Sequence, residues 1–393
     1  MNVLTVNAFS ALATGGAVIS GQYLGRRENG KAGHAGAQLI LFMLEISLLL
    51  TDLFYAGKGF VLHRVFGHIE ADVAAYANTY YMIVESSIPF LALYNAGAAL
   101  FRVMGNSKVS MWVSTAMNLI NAAGNAILIF GFRMGVAGVA IPTVVSRLFA
   151  AAAMIWLLGK PGLPLQVERF SLRHDRFIVR HILRFGVPNG LESSMSQLGR
   201  ILLLSTVSVL GTASVAANAI AGSICNFQCI PGKAIGLALV TVVSQCIGAG
   251  SMEDARYYAR KLLRMTQLYM AAVGAGILLF LPLILRLYNV SAEAEHYIRI
   301  ISWLHVICGA VFWASSFNIP YILRAAGDTR FTMLVSSATM WILRVASGVV
   351  LCRYVGFGVL GIWFAMFADW IARACIYEVR FRGNRWENMG IGD

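Results

Sequence analysis

FRVMGNSK (101–108) and LRAAGDTR (323–330) lie 222 residues apart and share an arginine, a glycine and a closing base at matching places. Two further pairs keep that spacing to within one residue. SGQYLG (20–25) falls on VSQCIG (243–248) at a shift of 223, setting Gln22 beside Gln245, Gly25 beside Gly248 and, further on, Ala32 beside Ala255. GVAGVA (135–140) falls on GVLGIW (358–363). Chance likeness among apolar segments does not place polar turn residues in one common register, so the chain is an internal repeat.

Around these motifs the sequence is apolar. With 58% hydrophobic residues, 12% charged residues and a mean hydropathy of +0.70, too few polar groups are available to cover a water-soluble surface. The solvent is lipid. About 20 apolar residues cross a bilayer as a helix, and stretches of that size are expected near 1–24, 34–58, 73–99, 109–131, 136–159, 183–210, 214–247, 262–285, 294–320, 331–352 and 359–378. Barrel strands of about ten alternating residues are not seen. The expected class is an all-α integral membrane protein with about 11 transmembrane helices in two repeated lobes.

The formal charge of +13 is a topology signal rather than a nucleic-acid one. If consecutive spans cross the membrane, twenty of the 31 basic residues, from Arg26 and Arg27 to Arg380, Arg382 and Arg385, collect on one side. Six (Lys58, Arg64, Arg133, Arg286, Arg299, Arg353) lie on the other and five (Arg147, Arg200, Lys233, Arg344, Arg373) within spans. The basic side is cytoplasmic, which puts the C-terminus there; attraction to anionic membrane lipid is a secondary consequence. Segment 160–182, with Pro161 and Pro164, reads as a cytoplasmic link between an N-terminal lobe (1–159) and a C-terminal lobe (183–393). Arg176, Arg180 and Arg184 recur every four residues, as on one face of a helix lying along the membrane interface.

Equivalent motifs fall on the same membrane side in both halves, so the repeats are parallel, as in transporters built from two rocking lobes. Met1 aligns with Ile224, leaving residues 182–223 without a counterpart, so six spans in the second half face five in the first. The expectation is a twelve-helix fold lacking its first helix. No signal peptide is read at the N-terminus.

GVPNGLES (186–193), GTASVAANAIAGSI (211–224), the Gln-x-x-Gly turn at 245–248, LRAAGDT (323–329), Arg344 and ADWIARACIYEVRFRGNRW (368–386), in this order and spacing, resemble the multidrug and toxic compound extrusion (MATE) family over the whole chain. The resemblance implies two six-helix lobes about a central cavity that opens alternately to either side. It also implies export of organic cations or other amphipathic compounds in exchange for Na⁺ or H⁺, with no further cofactor, from a monomer in the cell membrane, in bacteria the inner one.

Charges inside spans are costly and so mark candidate sites. Glu192 follows Pro188 and shares a face with Asn189, Ser196 and Arg200; it reads either as an ion or proton coupling residue or as an acid favouring a helix start. Relatives in the family carry the corresponding acid a turn deeper, which makes Gln197 a cavity candidate. Asp369 reads as a second coupling site or as a buried partner of Arg344. Asn118, Asn121 and Asn125 share a face and either line a cavity or bond between helices; the family commonly has an acid near Asn125. Among Glu45, Asp52 and Glu85, the last, beside Tyr80, Tyr81, Ser86 and Ser87, is the best cavity candidate. Arg102 with Gly105, and Arg324 with Gly327, occupy matching turns as structural or gating residues, glycine permitting the reversal and arginine bonding helix-end carbonyls. The six cysteines and seven histidines are dispersed without metal-ligand spacing. Only His305 lies well inside a span, as a conceivable proton relay. No phosphate loop and no nucleophile–base pair stand out, which argues against ATP drive and enzymatic catalysis. A lipid-linked saccharide flippase, an inactive truncated transporter and a membrane-embedded transferase are the alternatives.

Overall fold

The computed structural model describes residues 2–60, 71–165 and 173–387, and every regular element among them is helical. Its helices are α1 (Asn2–Gly25), α2 (Asn29–Phe60), α3 (Ala71–Glu85), α4 (Ile88–Val103), α5 (Ser107–Ala126) and α6 (Ala137–Leu158), then α7 (Arg176–Ser208), α8 (Thr212–Gln228), α9 (Ile230–Gly248), α10 (Met252–Tyr288), α11 (Ala292–Cys308), α12 (Ile319–Ala326), α13 (Thr329–Thr339), α14 (Ser347–Arg353) and α15 (Gly358–Arg382). π-helical stretches Ile127–Gly131, Gly309–Asn318 and Met340–Ala346 extend α5, join α11 to α12 and join α13 to α14.

Among the described residues, eight helical runs are long and apolar enough to cross a membrane, or nine if the pair α3–α4, bent by 43°, counts as one span. Two of the remaining long segments fall short for readable reasons. α8 has only 17 residues, and α7 carries Arg176, Arg180, Arg184, Glu192 and Arg200; α1, uncharged over 24 residues, is as apolar as the helices counted. Large apolar side chains cover the outside, with Phe130 81%, Leu279 75% and Trp156 66% exposed, as a lipid solvent requires.

The chain forms two compact units, Met1–Gly190 and Leu191–Asp393. The division falls inside α7. The stretch 176–185, expected along the membrane interface, is the first part of this 33-residue helix, which at 1.5 Å per residue is about 50 Å long and outruns a bilayer core. Ahead of it, residues 173–175 are tied to α2. Gln38 Nε2 donates to Arg173 O (2.8 Å) and accepts at Oε1 from Asp175 N–H (3.1 Å), while His34 pairs with Asp175 (3.2 Å) and His174 with Glu45 (2.7 Å).

The repeat read from three motifs is written into the backbone. Residues with positive φ in the first unit, Arg27 (61°), Gly105 (79°), Arg133 (52°) and Gly135 (57°), have counterparts in the second at Gly250 (75°), Gly327 (104°), Gly356 (85°) and Gly358 (54°). Gly105 and Gly327 follow α4 and α12 respectively, where the left-handed conformation ends a helix at least cost to glycine. The same five-residue hydrogen bond closes Phe132 N–H on Ile127 O and Val355 N–H on Val350 O. Gly138 lies against Leu128, where a β-carbon would fit only tightly, and Gly361 against Leu351, where it would not fit without a shift of backbone.

One departure from the repeat matters for function. The shift is 222 at Gly105/Gly327 but 223 at Ile127/Val350, so the second unit holds one extra residue between them. There the first unit has the regular helix α5, and the second has the π stretch Met340–Ala346. A π turn takes one residue more than an α turn, which accounts for the difference. Arg344 lies in that stretch.

Candidate functional site

Two of the buried charged constellations of the second unit contain the acids singled out from the sequence. In the first, Arg324 of α12 presents one guanidinium nitrogen to both carboxylate oxygens of Glu192 on α7, at 2.7 and 2.8 Å, with the two side chains 11% and 12% exposed. Arg324 also reaches Thr332 Oγ1 (3.5 Å) and packs on the Tyr321 ring. From the sequence its partners are expected to be helix-end carbonyls; its guanidinium instead holds the acid singled out for coupling. Glu192 sits two positions after Gly190, where α7 passes from one unit to the next.

The second constellation surrounds Asp369, which is fully buried on α15. The sequence suggests Arg344 as its partner, but the close partner is Arg373, one turn on, whose Nε lies 2.7 Å from Asp369 Oδ1. Arg373 is tied down further by Thr339 Oγ1 (2.9 Å) and Ser336 O (2.9 Å). Arg344 stands off, with its nearest contact to Asp369 Oδ2 at 4.0 Å. Arg200 lies exposed on α7, donating to Gln197 Oε1 at 3.3 Å. Gly199 lets α7 approach this region, since a β-carbon there would meet Met340 Cε at 2.5 Å and Val345 Cγ2 at 3.1 Å. Arg373 is a residue that sequence reasoning passed over, although its four-residue spacing from Asp369 in ADWIAR is the signal of a same-face helical pair.

The first unit places polar amides where the second places charge. Asn121 Nδ2 donates to Thr143 Oγ1 of α6 (3.1 Å), and Asn125 Nδ2 donates to Asn121 Oδ1 (3.2 Å). Two of the three predicted asparagines are thus brought together between α5 and α6; Asn118 is exposed. Glu85 is buried at the end of α3, and Arg147 of α6 donates to neighbouring Ser87 Oγ at 2.7 Å. Glu45 and Asp52 are exposed. Asn189 and Ser196 are half-buried on α7.

His305 is enclosed rather than poised in a chain of ionisable groups. Its Nδ1 lies 2.7 Å from Gln228 Oε1, and the rings of Trp363, Phe367 and Trp370 surround it at 5.1 to 6.3 Å. Gln228 in turn donates to Met270 O and Val306 O, so the histidine joins a packed network of α8, α10, α11 and α15. Among the described residues no group of His, Cys, Asp and Glu has a metal-holding arrangement.

The profile of the MatE family matches residues 1–127 and 188–350. Curated relatives agree. The uncharacterized transporter YisQ of Bacillus subtilis is 26% identical over 395 residues, covering 99% of this chain and 86% of that protein. The probable multidrug resistance protein NorM of Thermotoga maritima is 25% identical, covering 84% and 72%. Among solved structures, a MATE protein in complex with MaD3S superposes with a TM-score of 0.88 at 17% identity, covering 97% of this chain and 85% of that one, which is a likeness of fold.

Proposed function

Because the chain belongs to the MatE family, a family of multi-pass membrane efflux transporters, we propose that it exports small amphipathic molecules, organic cations among them, against an inward flow of Na⁺ or H⁺. The observation that carries the coupling role is the Glu192–Arg324 pair. A carboxylate that takes up a proton, or shares its oxygens with Na⁺, loses much of its hold on a guanidinium, so occupancy of Glu192 by the driving ion would loosen α7 from α12. The pair sits near the point where α7 leaves one unit and enters the other, which suits a contact whose making and breaking accompanies alternating access.

Asp369 is assigned a different part. Held by Arg373 and facing Arg344, it is a fixed counter-charge, and neutralising it would strand arginine charge inside the membrane. The first unit has amides at 121 and 125, so ion coupling is assigned to Glu192 in the second unit, with Glu85 as the first unit's buried carboxylate. The cell membrane, in bacteria the inner one, with the basic side and the C-terminus in the cytoplasm, is the setting this reading implies.

Efflux of ethidium from energised cells tests it. Export should stop when the Na⁺ or H⁺ gradient is dissipated and should fall about tenfold or more in Glu192→Gln. Gradient-dependent export that survives Glu192→Gln unchanged would remove Glu192 from the coupling role. Failure to export any of a broad panel of amphipathic cations would favour the lipid-linked saccharide flippase instead.

A further inference from the structure

The charges around Arg344 do not balance. Asp369 makes ion-pair contacts with two guanidinium groups, Arg373 at 2.7 Å and Arg344 at 4.0 Å, and the close approach of Gly199 to Met340 and Val345 sets Arg200 of α7 beside the same segment. Arg373 takes the close bond to that acid and fills its other donors with Ser336 and Thr339. This leaves a local excess of about two positive charges on Arg344 and Arg200, the first of them in a helical run long and apolar enough to cross a membrane. Excess charge in such a place calls for water or an anionic partner.

The hydrogen-bonding inventory has the same sign. Of the ten buried polar side-chain atoms without a hydrogen-bond partner among the described residues, five lie on these two segments: Ser337 Oγ, Trp341 Nε1 and Arg344 Nε on one, and Asp369 Oδ2 and Trp370 Nε1 on the next. Three of these five can only donate and the serine can do either, so donors outnumber acceptors. The extra residue of the π stretch sets Arg344 in this position, and the close approach at Gly199 brings α7, and with it Arg200, beside the stretch. The matching segment of the first unit, 118–125, carries asparagines and no charge.

We propose that Arg344 and Arg200 receive an anionic group, a carboxylate or a phosphate ester, and that molecules carrying such a group alongside an apolar body are among those moved by the second unit. Planar guanidinium forks suit such oxyanions, which they can hold through paired hydrogen bonds. The inference rests on the exporter reading above for the word "moved", but the binding site stands independently of it.

The test uses the full chain in phosphatidylcholine nanodiscs and two probes with one apolar body, pyrenebutyrate and a pyrenebutyl trimethylammonium salt, read by fluorescence anisotropy. Pyrenebutyrate should bind about tenfold or more tighter than the ammonium probe. Arg344→Gln and Arg200→Gln should each weaken it by about tenfold, the scale of one lost charge-assisted bond, while leaving the ammonium probe unchanged or tighter. Arg200 is exposed, so Arg200→Gln remains informative if Arg344→Gln fails to fold; Arg200→Lys should keep part of the affinity. Unchanged pyrenebutyrate binding in Arg200→Gln, or equal loss of both probes, overturns the site. Adding phosphatidylglycerol separates the sources: competition assigns the site to a lipid headgroup, and its absence to a water-soluble substrate, the anion site standing in both cases. Ethidium export with arginine-independent pyrenebutyrate binding overturns the anion site and leaves the exporter. Arginine-dependent binding without export of either probe keeps the site and overturns the exporter.

Discussion

The two units share a backbone plan and differ in what they bury. Turn for turn, Gly105 answers Gly327 and Gly135 answers Gly358, and Gly138 and Gly361 meet the same point of the preceding helix. Yet where α5 and α6 are joined by Asn121, Asn125 and Thr143, the corresponding helices of the second unit are joined by Asp369, Arg373, Thr339 and Ser336. Neutral amides cost little to bury and bind weakly. Charges cost much and respond to ions. One scaffold thus sets neutral amides between a pair of helices in one unit and charges between the matching pair in the other, and the inserted residue at 340–346 accompanies the charged pair.

The sharpest way to break that contrast is to neutralise the charged pair of helices at its centre. Asp369→Asn would leave Arg373 and Arg344 buried without a carboxylate, and removing one partner of a buried pair costs about 3–5 kcal/mol. The counterpart in the first unit is Ser146, whose hydroxyl donates to Thr143 O within its own helix. Ser146→Ala should cost less than about 1 kcal/mol, because the bond lost is a single neutral one. Thermal unfolding of both variants in detergent measures the difference. Equal effects would mean that Asp369 is screened by water and the charged pair of helices is not special.

Glu192→Gln probes the other constellation. Glutamine can accept from Arg324 through one oxygen but carries no charge, so the expected loss is about 2 kcal/mol, the scale of a charge-assisted hydrogen bond. Arg324→Gln should cost a similar amount and, combined with Glu192→Gln, should add little, since the two act as one pair. A double variant whose loss equals the sum of the single losses would show that the bidentate contact does not couple them.

How much of this was legible follows from what each feature depends on. The spans, the repeat and the paired turn glycines lie in the sequence itself, because bilayer thickness fixes span length and positive φ favours glycine. Glu192 and Asp369 were legible as charges that must have a reason to be inside a span, and Arg324 as a turn residue paired with Gly327. Their partners were not. Glu192 and Arg324 are 132 residues apart, and no local spacing joins them. Arg373 was within reach, four positions from Asp369, but Arg344 was the more conspicuous charge one helix away. The π stretch was legible only as a one-residue slip between two alignments, which gains its meaning once the backbone locates the extra residue.

A smaller test compares the two close approaches. A β-carbon on Gly361 would lie 2.8 Å from Leu351 C and 2.9 Å from Cys352 N, whereas one on Gly138 would lie 3.2 Å from Leu128 C and O. Backbone cannot step aside as a side chain can, and overpacking costs about 1–3 kcal/mol, against which alanine's better helix propensity returns about 1. Gly361→Ala should therefore destabilise by about 1–2 kcal/mol and Gly138→Ala by less than about 1. Reversal of that order would mean that α14 yields to the intruding methyl group more readily than the π stretch Ile127–Gly131, against which Gly138 lies.

A small effect is also expected where the first unit's amides are put to the test. Asn121→Ala removes the bonds to Thr143 and from Asn125, both between half-buried neutral groups, and should cost about 1 kcal/mol of stability. If coupling resides in the second unit, this variant should lower export in proportion to folded protein and leave the ratio of export with and without an ion gradient untouched. Asn125→Asp extends the test, since it restores an acid where the family resemblance expects one. A gradient ratio that rises in Asn125→Asp while Glu192→Gln has already abolished coupling would show that either unit can carry the ion, and that charge, rather than scaffold, decides which one does.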